Sequence, residues 1–448
     1  MGDYGTIFKA YDVRGTVPDQ FDAEMAAAIG FGFGSFVQQD APGTTRVLVA
    51  RDMRPSGVEM VAAFSRGVRA TGLDVVDLGL GSTDLLYFAA GSLDAPGAMF
   101  TASHNPARYN GIKFCRAGAR PIGEDSGLTT IRDLAAGAGP LPEPTGAHLE
   151  DDVLGAFARH VRSFVDVDAL APLKIVADTA NGMGGLVVPA AFEGLPFDLE
   201  VLFGELDGTF PNHPADPIQP ENQRDLTARV VAVGADVGLA FDGDADRVFL
   251  VDERGVGLSG STTTAILADA LLRRNGGGKV VYNLICSKAV PEVIREAGGE
   301  PIRSRVGHSF IKEVMAETGA IFGGEHSAHY YFAGNYRADS GLIAAILVLE
   351  QLSIRKIPLS ELRKPYERYA ASGEINTKVD DPLVVIERVA AAYADADQDR
   401  LDGLTVDFGD WWFNLRPSNT EPLLRLNLEA ATHADVEERV AQVKAAFT

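Results

Sequence analysis

Three segments far apart in the chain repeat one plan, and that repetition constrains the fold more than any other feature. "RVLVARDMRPSG" from Arg46, "KIVADTANGMGG" from Lys174 and "KVVYNLICSKAV" from Lys279 each open as a short β-branched run, end in polar loop residues and pass into a helical pattern. Each predicts an α/β unit with ligand groups at the strand end, where open α/β sheets usually bind. A chain of 448 residues is also too long for one core. The helical run "GLIAAILVLEQLSIRKIPLSELRK" closes the third unit, and the chain then changes character. "ASGEINTKVDDP", a helix, "GLTVDFGDWWFNLRP" and "LLRLNLEA" read as a strand-rich fourth domain ending in a helix. Boundaries near "AAGAGPLPEPTG", near "VDERG" and at Lys364–Pro365 divide the chain into 1–148, 149–253, 254–364 and 365–448.

The formal charge of −22 argues against nucleic acid or an anionic membrane as partner, because a net negative field repels both. A small phosphorylated ligand is still admissible, since exposed charges are screened beyond about 8 Å. The N-terminus "MGDYGTIFKAYDVRG" lacks the pattern of a secretory signal, and "GLIAAILVL" is far too short for a membrane span, so a cytoplasmic protein is expected. Cys115 and Cys286 have neither zinc nor redox spacing and are expected as reduced thiols. Two further signals are set aside. "IGFGFGSF" lies inside an Ala-rich helical pattern rather than after a strand, and "DFG" at Asp407 lacks every other part of a kinase signature.

Four loops carry chemistry. In "TASHNP", Pro106 restricts the backbone and holds Ser103 in a defined place, but on this loop alone an ordinary turn serine is the simpler reading. In "GLAFDGDADRVFLVDE", Asp242, Asp244 and Asp246 sit in a tight turn between apolar runs, where they would repel one another unless a divalent cation gathers them. An EF-hand needs Gly where this chain has Arg247, and helical flanks where it has strand patterns, so magnesium is favoured over calcium. In "GGEHSAHYYF", an extended segment would project Glu325, Ser327 and His329 to one side, a set suited to a polyhydroxyl ligand. A surface hairpin with a satisfied histidine competes with that reading. In "NLRPSNTEPLLR", Arg416 with Ser418, Asn419 and Thr420 offers a phosphate grip, although a polar turn between strands fits equally well. Lys288, His308 and Arg425 are further cationic or titratable candidates.

Together these loops resemble the α-D-phosphohexomutase family. "KAYDVRG", "TASHNP", "NGIKF", "DGDADR", "RVGHSFIK", "GGEHSAH" and "RPSNTEPLLR" follow the family's order and approximate spacing over almost the whole chain. The resemblance implies four domains around a central cleft: three related mixed α/β domains, then a smaller α+β C-terminal domain. Ser103 looks like the family's active-site phosphoserine. Phosphorylated Ser103 would give its phosphoryl group to the 6-hydroxyl of a hexose 1-phosphate, and the resulting 1,6-bisphosphate would turn over and return its other phosphate to Ser103. The resemblance further implies Mg2+ held by Asp242, Asp244, Asp246 and the Ser103 phosphate, with Arg247, Lys113 and Arg14 near the same group. Hexose 1,6-bisphosphate is the implied activator. Lys113, His329, His308 and Tyr11 are the candidate acid and base, in falling order. Glu325 and Ser327 would contact the sugar 3- and 4-hydroxyls, with Arg416 to Thr420 holding the phosphate that is not reacting.

Within the family, "DGDADR", "VGHSFIK" and "GEHSAH" look like the phosphomannomutase/phosphoglucomutase branch. Phosphoglucosamine mutases typically read "DGDGDR" and "GEQSGH", from which Ala245, His326 and Ala328 depart. The expected enzyme is a phosphomannomutase with phosphoglucomutase activity beside it, acting on hexose phosphates as a monomer or homodimer. Alternatives are a phosphoglucomutase or phosphoglucosamine mutase proper, a metal-dependent sugar phosphatase and a non-catalytic sugar-phosphate binding protein.

Overall fold

A computed structural model describes residues 3–417 and 423–447, and the chain forms two compact units. The first comprises Met1–Ser259 and Ser327–Leu362, the second Gly260–His326 and Arg363–Thr448.

The first unit opens with a six-stranded sheet of β1 (Val13–Thr16), β2 (Arg46–Arg51), β3 (Asp74–Leu80), β4 (Gly97–Phe100), β5 (Tyr109–Cys115) and β6 (His148–Glu150), in the order β1-β5-β4-β2-β3-β6. β2 lies parallel to β3 and β4, whereas β5 is antiparallel to β4 and β1. Val47 to Ala50 are fully buried, as expected of a central parallel strand covered on both faces. β4 ends at Phe100 and leads into the turn containing Ser103. The glycines of "IGFGFGSF" are packing glycines within the helix Ala23–Asp40. A Cβ on Gly30 would lie 2.1 Å from the carbonyl oxygen of Phe64, in the helix Gly57–Ala70 packed against it.

A second sheet in this unit contains β7 (Lys174–Asp178), β8 (Asp198–Leu202), β9 (Val237–Phe241) and β10 (Val248–Asp252), ordered β10-β9-β7-β8. β9 and β10 pair antiparallel from Phe241↔Val248, so residues 242–247 form the hairpin turn between two completely buried strands. The short strand β14 (Tyr330–Phe332) and the almost wholly buried helix Gly341–Arg355 also belong to this unit.

In the second unit β11 (Gly278–Asn283) runs parallel to β12 (Gly299–Ser304) on one side and β13 (Phe322–Gly324) on the other. Its remainder is a five-stranded antiparallel sheet of β15 (Ala370–Lys378), β16 (Asp397–Asp399), β17 (Leu404–Asp407), β18 (Trp412–Pro417) and β19 (Leu423–Ala430). The helices Pro382–Ala392 and His433–Ala445 contribute to the core of this sheet. The repeated plan seen in the sequence corresponds to β2, β7 and β11, each followed by a polar loop and a helix starting at Gly57, Gly184 and Ala289. Among the described residues, no helix is long and apolar enough to cross a membrane.

Candidate active site

The turn after β4 places Ser103 in the left-handed region, at φ 49°, a conformation that costs a residue with a Cβ about 1–2 kcal/mol. Local hydrogen bonds hold it there: its N–H donates to Thr101 Oγ1 at 2.9 Å, and Asn105 N–H donates to the Ala102 carbonyl at 3.0 Å. Beneath the turn lies Arg54, fully buried, with all of its N–H groups used. Nη1 donates to the carbonyls of Pro106 and Tyr109, Nη2 to those of Ser103 and Asn105, and Nε to Asp52 at 3.1 Å. Arg54 thus braces the backbone of the serine turn through four of its carbonyls. The Ser103 hydroxyl donates to Asp242 Oδ2 at 2.7 Å.

Asp242, Asp244 and Asp246 are buried on the β9–β10 hairpin, with ligand atoms all within 4.8 Å of one another. Gly243 is required by close approach, because a Cβ there would sit 2.4 Å from the Ser103 carbonyl oxygen. Two cations face these three acids. Lys113 Nζ, from β5, lies 2.8 Å from Asp244 Oδ2 and 2.7 Å from Asp246 Oδ2. Arg247 Nε donates to Asp242 Oδ2 at 3.0 Å. Burial pushes the Asp242 carboxyl well above the usual range, against the pull of Arg247. Burial acts on Asp244 in the same sense, but Lys113 overcomes it and holds that carboxyl below the usual range. Lys113 resists its own burial through Asp244 and Asp246 and stays protonated.

With all three acids ionised, three carboxylates would face two cations, Lys113 and Arg247, one positive charge short. Asp244 Oδ1 and Asp246 Oδ1 are buried without a hydrogen-bond partner. Both observations fit an oxygen-ligated divalent cation, which would let all three acids ionise together.

His104, beside the serine, presents Nδ1 to Arg247 Nη2 at 2.7 Å and to Ser103 Oγ at 3.3 Å. Burial, with Arg247 and Arg14 nearby, pushes this imidazole well below its usual pKa, so it is a neutral ring that accepts from the guanidinium. Arg14 donates to Asn105 Oδ1 at 2.6 Å and pairs with Asp12, while Tyr11 lies half-buried in the loop just before β1. An isolated antiparallel bridge between Arg247 and His329 brings the second polar loop to the hairpin, with His329 Nε2 3.8 Å from Asp246 Oδ1 and Nδ1 3.1 Å from Ser327 Oγ.

That second loop departs from the sequence expectation. Residues 325–329 do not continue as an extended segment; they turn, with Ala328 at φ 65°, so Glu325, Ser327 and His329 are not displayed by simple strand alternation. Glu325 belongs to the second unit, where its carboxylate accepts from Asn283 Nδ2 and from the Gly307 N–H, both at 3.1 Å. The Gly307 contact places it at the start of the helix His308–Thr318, with His308 as that helix's first residue. In the same unit Lys288 Nζ binds Asp407 Oδ1 at 2.6 Å and the Gly409 carbonyl, a structural tie to the five-stranded sheet. Arg416 and Arg425, paired across β18 and β19, share Glu374 on β15, at 2.6 Å and 3.5 Å. Ser418, Asn419 and Thr420 lie outside the described residues.

The sequence reading missed Asp52, Arg54, His104 and Glu374. Its available signals were the charged "RDMR" directly after an apolar strand and the histidine inside "TASHNP" itself.

Comparison with known proteins covers nearly the whole chain. Models described as phosphoglucomutase/phosphomannomutase alpha/beta/alpha domains I, II and III match residues 5–138, 155–255 and 259–369, and the model of that family's C-terminal domain matches 374–446. A protein of Xanthomonas campestris named phosphohexose mutases is 43% identical over 441 residues, covering 97% of both chains. A phosphomannomutase of Escherichia coli is 40% identical over 437 residues, covering 95% of each. The crystal structure of a phosphoglucomutase/phosphomannomutase family protein from Burkholderia thailandensis superposes with a TM-score of 0.89 at 33% identity, covering 100% of this chain and 98% of its own.

Proposed function

This chain belongs to the phosphoglucomutase/phosphomannomutase family of phosphohexomutases, and from that premise we propose that it interconverts mannose 1-phosphate and mannose 6-phosphate, with glucose phosphates as second substrates. The observation that carries the mechanism is the Ser103 hydroxyl, locked in a left-handed turn and 2.7 Å from a buried carboxylate of an undercompensated acidic hairpin. Phosphorylated Ser103 is the donor. The bond from phosphorus to Ser103 Oγ breaks, a bond from the sugar 6-oxygen forms, and the hydroxyl proton leaves to a base; the second half-reaction runs this in reverse at the other end of the sugar. Asp242, Asp244, Asp246 and one phosphate oxygen would hold Mg2+, which when bound offsets charge on the transferring group, worth several kcal/mol.

The chain's own residues supply the rest. Arg247 and Lys113, both kept protonated by the hairpin carboxylates, complement the phosphoryl charge, with Arg14 behind the turn. In this reading Lys113 donates a proton and His329 accepts one, a pairing supported by their both lying beside Asp246. Glu325 and Ser327 hold the sugar hydroxyls, while Arg416 and Arg425 with Ser418, Asn419 and Thr420 hold the spectator phosphate. Orienting both ends makes transfer effectively intramolecular, an effect worth about 7–11 kcal/mol. Hexose 1,6-bisphosphate rephosphorylates Ser103 whenever the intermediate escapes. Acidic net charge and hexose phosphate chemistry suit an enzyme of the cytoplasm.

A phosphorus NMR time course with Mg2+ and a trace of hexose 1,6-bisphosphate tests this on mannose, glucose and glucosamine 1-phosphates. A 6-phosphate should accumulate without inorganic phosphate, fastest from mannose. Inorganic phosphate as main product would make the protein a phosphatase, and a faster rate on glucose would reassign the substrate. Ser103→Ala should abolish turnover yet bind hexose phosphate.

A further inference from the structure

We infer that Thr83 is a positioning residue for the cation, sorting the two oxygens of Asp244 so that one serves the protein and the other the metal. The inference rests on the proposed reading that Asp242, Asp244 and Asp246 bind a divalent cation. Thr83 is fully buried and lies 161 residues from Asp244 in the chain, yet it contacts that residue twice. Its hydroxyl donates to Asp244 Oδ2 at 2.6 Å, and its backbone N–H donates to the Asp244 carbonyl at 3.1 Å. Lys113 Nζ approaches the same Oδ2 at 2.8 Å. Oδ2 therefore has two donors, while Oδ1 is buried with none. A carboxylate left to rotate would exchange its two oxygens; the Thr83 hydroxyl fixes which one faces the cation.

Thr83 is itself held by an unusual brace. It is the first residue of the helix Thr83–Ser92, capped by Ser82, whose hydroxyl accepts from Leu85 N–H. The next residue, Asp84, accepts from the Ser82 hydroxyl and, at 2.6 Å, from the Ser340 hydroxyl. Ser340 caps the helix Gly341–Arg355. That helix start also meets the hairpin: a Cβ on Gly341 would lie 2.8 Å from the carbonyl carbon of Arg247 and 3.2 Å from the Ala245 oxygen. Two helix starts thus touch the acidic hairpin, and Asp84 ties them to each other.

The test is Mn2+ binding, measured by electron paramagnetic resonance of free Mn2+ without substrate, on the full chain and on Thr83→Val, Thr83→Ala, Thr83→Ser and Asp244→Asn. Removing an outer hydrogen bond to a metal ligand typically costs about 10- to 100-fold in affinity. Thr83→Val and Thr83→Ala should each show that loss, whereas Thr83→Ser, which keeps the hydroxyl, should retain most of the affinity. Circular dichroism and Tm establish which variants fold, and any folded variant without the hydroxyl decides the matter. Native affinity in such a variant would overturn the inference, as would a Thr83→Ser protein as weak as Thr83→Ala. If the unsubstituted protein binds Mn2+ no better than Asp244→Asn, the metal reading itself fails, a result distinguishable from failure of the Thr83 role.

Discussion

Replacing Arg54 with lysine keeps the buried charge but removes the geometry that organises the Ser103 turn. The guanidinium makes five hydrogen bonds, to Asp52 and to the carbonyls of Ser103, Asn105, Pro106 and Tyr109. An ammonium has three donors, so Arg54→Lys leaves at least two of these buried or part-buried acceptors unmatched. At about 1–3 kcal/mol for each unsatisfied buried group, the loss is about 2–6 kcal/mol. With Tm falling about 2–4 °C per kcal/mol in a domain of this size, the transition that includes the first sheet should drop by about 4 °C or more. Activity should fall further than stability explains. Ser103 depends on this platform to stay left-handed, and a misplacement of about 1 Å at a reacting atom can cost about 100-fold in rate. Calorimetry and kcat on the folded variant are the assays. A variant within about 1 kcal/mol of the native protein and with unchanged kcat would refute the argument that the turn hangs on Arg54.

Three further outcomes are expected. Burial raises the Asp84 carboxyl to about 7 from 3.8, against the hydroxyls of Ser340 and Ser82, so the folded state binds a proton that the unfolded state releases. That stability is fully present below about pH 4 and is lost as pH rises through 7; it amounts to about 4 kcal/mol at 1.36 kcal/mol per unit, and Asp84→Asn should remove it. Parallel Tm curves against pH for the two proteins would contradict this. Gly243→Ala would drive a Cβ to 2.4 Å from the Ser103 carbonyl, so kcat should drop by about 100-fold while the remainder of the fold persists by circular dichroism. Glu374→Gln removes the carboxylate shared by Arg416 and Arg425, so inorganic phosphate should stabilise the variant more strongly and KM for hexose phosphate should fall; an unchanged KM would separate those arginines from the substrate.

What the sequence alone determined was local. The β-branched runs at Val47, Ile175 and Val280 are buried strands because a continuous apolar run has no other place to go, and polar residues follow them at the strand ends, the side on which open α/β sheets usually bind ligands. The acidic hairpin was legible for the same reason: Asp242, Asp244 and Asp246 are bracketed by apolar runs that require its burial, and burial of three acids requires positive charge. The family motifs singled out Ser103, Lys113 and Arg247 as candidates by type and order, without saying what holds them.

Tertiary structure decided which groups face one another. Arg54 reaches carbonyls 49 to 55 residues away, Thr83 reaches Asp244 across 161 residues, and Asp84 reaches Ser340 across 256. No sequence window contains such pairs, because they are created when separate strand ends and helix starts pack together. The loop after β13 teaches the converse. Alternation from Glu325 to His329 suggested a strand, but Ala328 takes a left-handed φ and folds the segment into a turn. Side-chain spacing records a residue's neighbours only while the backbone repeats, and at a functional turn the backbone conformation is set by the packing around it.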